Sequence, residues 1–242
     1  IHNYTKPYIA FMDGIVMGGG MGISQGGTDR ILTERTRMAM PETLIGLFPD
    51  VGGGYFLSRC PGHTGEWLGL AGDHVMGGDG LSIGWGDHFL SSSRQAEVWQ
   101  ALGEQDFSSG EAARQWLRGQ CEPAPAVSEA FTKAREEAEQ FFGAGDFNAI
   151  LKALEAATDN AWAQKTAQAL RKRSPLMLHV VFEQIRRARG MTLAEDLRME
   201  RDLVRHCFFP QHMGRKAVSS EIIEGIRALV VDKDNNPQWD PP

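Results

Sequence analysis

Two carboxylates, Glu42 and Asp50, stand in a stretch that is otherwise apolar and glycine-rich, Ala39-Met40-Pro41-Glu42-Thr43-Leu44-Ile45-Gly46-Leu47-Phe48-Pro49-Asp50-Val51-Gly52-Gly53-Gly54. Two nearby carboxyl groups push their pKa values apart, which suits one as an acid and the other as a base. Upstream lies a glycine run, Met17-Gly18-Gly19-Gly20-Met21-Gly22. At a strand–turn–helix junction such a run aims free backbone N–H groups at an anion or an oxyanion. Together the two pieces suggest a preorganised site, with N–H donors facing one side of a ligand and carboxylates the other. Each piece also has a plainer reading. The glycines can simply let a strand and a helix pack closely, and Asp50 can cap the helix that follows it.

These residues need elements to hold them. Tyr8-Ile9-Ala10-Phe11-Met12 follows Lys6-Pro7 and stops at Asp13-Gly14, and this apolar run between turn signals reads as a buried, parallel strand. The glycine run comes next and leads into Ile23-Ser24-Gln25. Arg30-Ile31-Leu32-Thr33 reads as a second strand, and Met38-Ala39-Met40 as a short apolar segment ending at Pro41. Gly52-Gly53-Gly54 opens a helix through Tyr55-Phe56-Leu57, with further helices at 64–70 and around Leu81-Ser82-Ile83.

From Ser93 onward the pattern is helical, with Ala96, Trp99 and Leu102 on one face and Ala112, Trp116 and Leu117 on another. Val127, Phe131, Ala134, Ala138 and Phe141 keep the same period beyond the linker Cys121-Glu122-Pro123-Ala124-Pro125. Ser174-Pro175 starts a fresh helix with proline in its first turn. Leu193, Leu197, Val204 and Phe208 outline the next, and Ile222, Ile226 and Leu229 a last short one, with Trp239 placed to anchor the tail. The expected division is a motif-bearing core over 1–92, a helical region over 93–173, and a C-terminal helical region and tail over 174–242.

The 242 residues are 42% hydrophobic and 23% charged, ordinary values for a globular protein. A net charge of −6 offers no electrostatic footprint for nucleic acid or an anionic membrane. No apolar run approaches the roughly 18 residues of a membrane span. Cys60, Cys121 and Cys207 suit reduced thiols better than a disulfide framework, so a cytoplasmic compartment is expected, or the mitochondrial matrix in a eukaryote. No Gly-Lys-Ser/Thr follows the glycine run and the dinucleotide spacing is lacking, so nucleotide binding is not expected. His63, His74, His88, His179, His206 and His212 are scattered without metal-ligand spacing. Arg171-Lys172-Arg173 reads as a solvated turn.

Lys6-Pro7-Tyr8-Ile9-Ala10, Met12-Asp13-Gly14 and the glycine run resemble the enoyl-CoA hydratase/isomerase (crotonase) superfamily. Thr33-Glu34-Arg35-Thr36-Arg37-Met38-Ala39-Met40-Pro41-Glu42, with Ile45-Gly46-Leu47-Phe48-Pro49-Asp50-Val51-Gly52-Gly53, is similar to the 3-hydroxyisobutyryl-CoA hydrolase branch. Glu224-Gly225-Ile226-Arg227-Ala228-Leu229-Val230-Val231-Asp232-Lys233-Asp234, with Trp239, looks like that branch's tail. The likeness spans nearly the whole chain, more loosely over 60–169. It implies an α/β fold, the later half of a crotonase-type β-β-α spiral core, followed by a helical C-terminal region.

The resemblance further implies an acyl-CoA thioester hydrolase, acting on 3-hydroxyisobutyryl-CoA in valine catabolism, with coenzyme A as part of the substrate and no separate cofactor. Gly19 would supply one of two backbone N–H donors to the thioester oxygen. Glu42 would be the catalytic carboxylate, and Asp50 the second acid that marks hydrolases of this branch. Hydratases of the superfamily carry a first catalytic glutamate just after the glycine run; Gly22 stands at that place here, which disfavours addition of water across a double bond. An enoyl-CoA hydratase or isomerase of the same fold, and a non-catalytic acyl-CoA-binding subunit, are the alternatives. A homo-oligomer is implied as well. So is a preceding segment that holds the other oxyanion donor and much of the CoA site. Parallel strands so near the start need covering neighbours, and residues 1–242 alone are expected not to form a competent enzyme.

Overall fold

In chain order, strands β1 (Ile9–Met12) and β2 (Ile15–Met17) precede helix α1 (Gly19–Gln25), and strands β3 (Asp29–Leu32) and β4 (Arg37–Ala39) follow it. A 3₁₀ turn (Glu42–Ile45) and helices α2 (Gly53–Leu57) and α3 (Thr64–Ala71) come next. Then come β5 (Val75–Met76), α4 (Gly77–Ser82) and β6 (His88–Phe89). The remainder is helical: α5 (Ser92–Glu104), α6 (Gly110–Gln120), α7 (Glu129–Phe141), α8 (Phe147–Ala156) and α9 (Ala161–Leu170). After these lie α10 (Pro175–Ala188), α11 (Leu193–Phe208), α12 (Glu221–Ile226) and a closing turn, Arg227–Val231. This is a computed structural model, and it describes residues 1–239. The chain divides into two compact units, Ile1–Ala39 with His74–Thr132, and Met40–Asp73 with Lys133–Pro242.

The first unit contains two three-stranded sheets. β1 pairs in parallel with β3, Ile9 opposite Asp29, and β3 pairs in parallel with β6. β2 runs parallel to β4, which carries β5 antiparallel on its other edge. The apolar run at 8–12 thus holds the parallel strand its composition suggested, but only Met12 is buried, while Tyr8 to Phe11 are half-buried. Ile31 of β3 packs with Leu90, Val98 of α5 and Leu117 of α6, and Ile9, Phe11 and Trp116 close over this cluster. Phe11 meets Trp99 edge-on at 5.1 Å between centroids. Between β1 and β2, Asp13 accepts from Thr33 Oγ1 at 2.6 Å and from the Arg35 guanidinium. That pairing holds the Asp13 carboxyl below its ordinary pKa and fixes the turn leading toward the glycine run.

The second unit is built from helices around aromatic side chains. Trp162 of α9 meets Trp67 of α3 at 5.8 Å and both Phe141 and Phe142 at 6.3 Å. α10 lies on α3 where Gly69 leaves room: a Cβ there would come within 2.7 Å of Ile185 Cδ1. Ser174 caps α10 by accepting from Met177 N–H at 3.1 Å, with Pro175 in the first turn. Thr192 and Glu195 form a reciprocal capping box at the start of α11. Arg173, expected in a solvated turn, is instead 9% exposed and donates to the Ala71 carbonyl after α3. Trp239 donates its indole N–H to Lys172 O at 3.1 Å, so the tail is anchored as expected. Among the described residues no helix is long and apolar enough to cross a membrane.

Candidate active site

The chain leaves β4 through Met40 and Pro41 and turns at once into the 3₁₀ turn whose first residue is Glu42. Gly46 ends that turn at φ 68°, its N–H donating back to Glu42 O. Only glycine fits there, because a Cβ would overlap the Glu221 carbonyl of α12. Thr43 Oγ1 donates to Leu70 O of α3 at 3.1 Å, and Ser174 N–H, at the start of α10, donates to Thr43 O at 3.3 Å. Ser174 Oγ in turn donates to Glu221 Oε2 at 2.6 Å. α3, α10 and α12 therefore all hold the short turn that carries Glu42.

Glu42 itself is 7% exposed, and its Oε2 has no hydrogen-bond partner among the described residues. Burial pushes its carboxyl up to about 8, its own backbone N–H opposes this, and the Asp50 charge adds to it. A carboxyl so placed exchanges its proton near neutral pH, where an acid–base or nucleophilic group is most useful. Asp50 is half-buried, and burial raises its pKa as well, against the pull of its own backbone N–H.

The segment after Asp50 is strained. Val51 adopts φ 57°, left-handed backbone that a β-branched residue rarely takes, at a cost on the order of 1–3 kcal/mol. Gly52 follows at φ 86° and is the N-cap of α2, with no side-chain cap of its own. Asp50 is therefore not the helix cap, and the plainer reading of this residue falls. The capping acceptors come from α11: Glu200 takes Gly52 N–H at 2.8 Å and Gly54 N–H at 3.1 Å, and Asp196 takes Tyr55 N–H at 3.0 Å.

Gly19 belongs to the first unit. It is the first residue of α1, after Gly18 at φ 49°, and nothing lies within 4 Å of where a Cβ would stand. N–H groups in a first helical turn have no intrahelical acceptor. Gly19 thus offers an N–H donor and open space in its own unit, while Glu42 and Asp50 meet electrostatically in theirs. Among the described residues no three His, Cys, Asp or Glu side chains gather as a metal-ligand set.

The family model described as Enoyl-CoA hydratase/isomerase matches residues 1–242. The chain belongs to this family. The 3-hydroxyisobutyryl-CoA hydrolase 1 of Arabidopsis thaliana is 37% identical over 241 residues, 98% of this chain and 62% of the relative. Another Arabidopsis thaliana relative, small ribosomal subunit protein mS47, is 35% identical over 99% of this chain and 58% of its own length. A crystal structure of a carnitinyl-CoA dehydratase from Mycobacterium thermoresistibile matches with a TM-score of 0.81 and 34% identity, over 99% of this chain and 64% of that one. The mixed α/β, crotonase-type fold of this enoyl-CoA hydratase/isomerase family member is thereby shown. The chain spans about three fifths of the length of the curated relatives it matches.

Within this family chain, the sequence singled out Glu42 and Asp50 but not the acids behind them. Leu197 and Phe208, expected to mark the apolar face of α11, are 44% and 39% exposed, whereas Asp196 and Glu200 are buried. Two acids one helical turn apart, in a chain whose glycine-opened α2 lacks a cap of its own, were the available signal.

Proposed function

We propose that this chain carries the catalytic carboxylates of an acyl-CoA thioester hydrolase, acting on 3-hydroxyisobutyryl-CoA in valine catabolism. The observation that carries the reading is the buried Glu42 carboxyl, raised to about 8 beside Asp50, on a turn held by three helices. The hydrolases among its relatives support the choice of substrate.

In this reading Gly19, in the first unit, has the role of an oxyanion N–H donor, a role whose loss typically costs about 10²–10³ in rate. The Glu42 carboxylate attacks the carbonyl carbon, the C–S bond breaks, and the departing CoA thiolate takes a proton. Water then opens the mixed anhydride, releasing the 3-hydroxy acid and restoring the carboxylate. The same carboxylate serves equally as a base that takes a proton from an attacking water. Asp50 holds the substrate hydroxyl or assists the proton transfer. Coenzyme A enters as part of the substrate, with no separate cofactor, and the widely spaced cysteines Cys60, Cys121 and Cys207 fit a reducing compartment. The protein works as a homo-oligomer.

The relative named as a ribosomal protein favours a second reading, a non-catalytic role on the same fold. Assaying the full-length protein against a panel of acyl-CoAs tests both. Free thiol released from 3-hydroxyisobutyryl-CoA is the expected result. Loss of enoyl absorbance without thiol release would assign a hydratase, and turnover of neither substrate the non-catalytic role.

A further inference from the structure

We propose that Glu200, Asp196 and Gln184 are positioning residues for Asp50, gripping the backbone on both sides of it and holding Val51 in its left-handed conformation. The inference rests on the catalytic reading of Asp50. Its geometry does not.

On the N-terminal side, Gln184 Nε2 of α10 donates to Pro49 O at 2.7 Å. On the C-terminal side, the Glu200 carboxyl of α11 receives Gly52 N–H on one oxygen and Gly54 N–H on the other. Asp196, one turn earlier on α11, receives Tyr55 N–H. Gln184 Nε2 also reaches Glu200 Oε1 at 3.4 Å, which ties the two grips together. Gly54 has to be glycine for this approach, since a Cβ would overlap Asp196 Oδ1.

α2 has only five residues and caps itself with nothing, so a single surface Ser or Asp would have sufficed to end it. Instead two buried acids and a buried amide converge on the peptide groups from Pro49 to Tyr55. Burying two carboxyls together is costly unless they share a proton. Burial and the Asp196 charge raise the Glu200 carboxyl to about 8. A Glu200 that keeps its proton can donate to Asp196 Oδ1, a buried oxygen with no other partner among the described residues. Such an arrangement holds a strained Val51 in one place, and the neighbouring Asp50 carboxyl with it.

Variants of the full-length protein decide the matter, read by kcat and KM on 3-hydroxyisobutyryl-CoA, circular dichroism, and amide hydrogen exchange across residues 49–57. Glu200→Ala is expected to lower kcat about 10- to 100-fold with KM within about threefold, as a misplaced catalytic group does, and to deprotect the Gly52 and Gly54 amides. Asp196→Ala should behave alike. Asp196→Asn should restore kcat to within about threefold of wild type, because its amide donates to Glu200 where the shared proton stood. In an Asp50→Asn background, Glu200→Ala should lower kcat no further.

A folded Glu200→Ala with full kcat overturns the proposal. So does an equal further loss in the Asp50→Asn background, which would leave the role of Asp50 intact. Unchanged kcat in Asp50→Asn alone would remove the catalytic reading of Asp50, and the positioning role with it. Should Glu200→Ala fail to fold, Gln184→Met carries the test: a kcat reduced about 3- to 10-fold supports the grip, and an unchanged kcat refutes it.

Discussion

Replacing Glu42 by Gln should shift stability in favour of the variant by an amount that grows with pH. The folded protein keeps the Glu42 proton until about pH 8, whereas an unfolded chain releases it near 4.5. Between those values the folded state binds more protons than the unfolded one, so this group's contribution to stability falls as pH rises through the window. Linkage puts the penalty of the buried Glu42 at about 2 kcal/mol at pH 6, about 3 at pH 7 and nearly 5 at pH 9. Gln is neutral throughout and escapes it. The Gln amide meets its own cost, about 1–3 kcal/mol, where Oε2 has no hydrogen-bond partner. That cost does not vary with pH. The stability difference between variant and wild type should therefore widen by about 2–3 kcal/mol from pH 6 to pH 9. Urea unfolding of both proteins at pH 6, 7, 8 and 9 reads it directly, because titrating groups that do not interact with Glu42 cancel in the subtraction. A difference that stays flat over that range would refute the buried, proton-holding Glu42.

Three further outcomes follow from the same geometry. The kcat/KM for thioester cleavage should fall about tenfold per pH unit below pH 8 and level off above it, since the proposed mechanism requires Glu42 to shed its proton first; a pH-independent profile from 6 to 9 would contradict this. Asp50→Asn should lower kcat about 10- to 100-fold without lowering the melting temperature, because the α2 cap is supplied by Glu200 and Asp196 and burial already disfavours the Asp50 charge; normal kinetics at undiminished stability would remove its catalytic role and favour the capping one, which Asn retains. Gly46→Ala should cost about 3 kcal/mol or more in urea unfolding, combining the left-handed φ of 68° with overlap on the Glu221 carbonyl; a variant of wild-type stability would show that α12 does not pack on the turn.

The elements that carry the candidate site were legible because their signals are local. Tyr8–Met12 is an apolar run between a proline and an Asp-Gly turn, and β1 lies within it. Ser174-Pro175 combines a capping side chain with a first-turn proline, and α10 begins there. Glu42 and Asp50 stood out as acids among apolar neighbours, and the first is buried and the second half-buried. What was not legible depends on partners remote in sequence. β5 and β6 are two residues each, too short to carry a period, and exist because β4 and β3 offer them edges. Arg173 is charged and beside a helix start, yet it is buried by the Ala71 carbonyl it serves. On α11 the apolar residues suggested one face, and the peptide groups from Gly52 to Tyr55 drew the acids inward instead.

The central claim is that Glu42 performs thioester hydrolysis, and the Glu42→Gln protein tests it most directly. Free thiol release from 3-hydroxyisobutyryl-CoA should be followed for the full-length wild type and variant at pH 8, with acyl-CoA binding measured alongside. The nearly isosteric amide can neither attack nor take a proton, so hydrolysis should fall by at least about 10³-fold while binding stays within a fewfold of wild type. Turnover near the wild-type rate in Glu42→Gln would contradict the account.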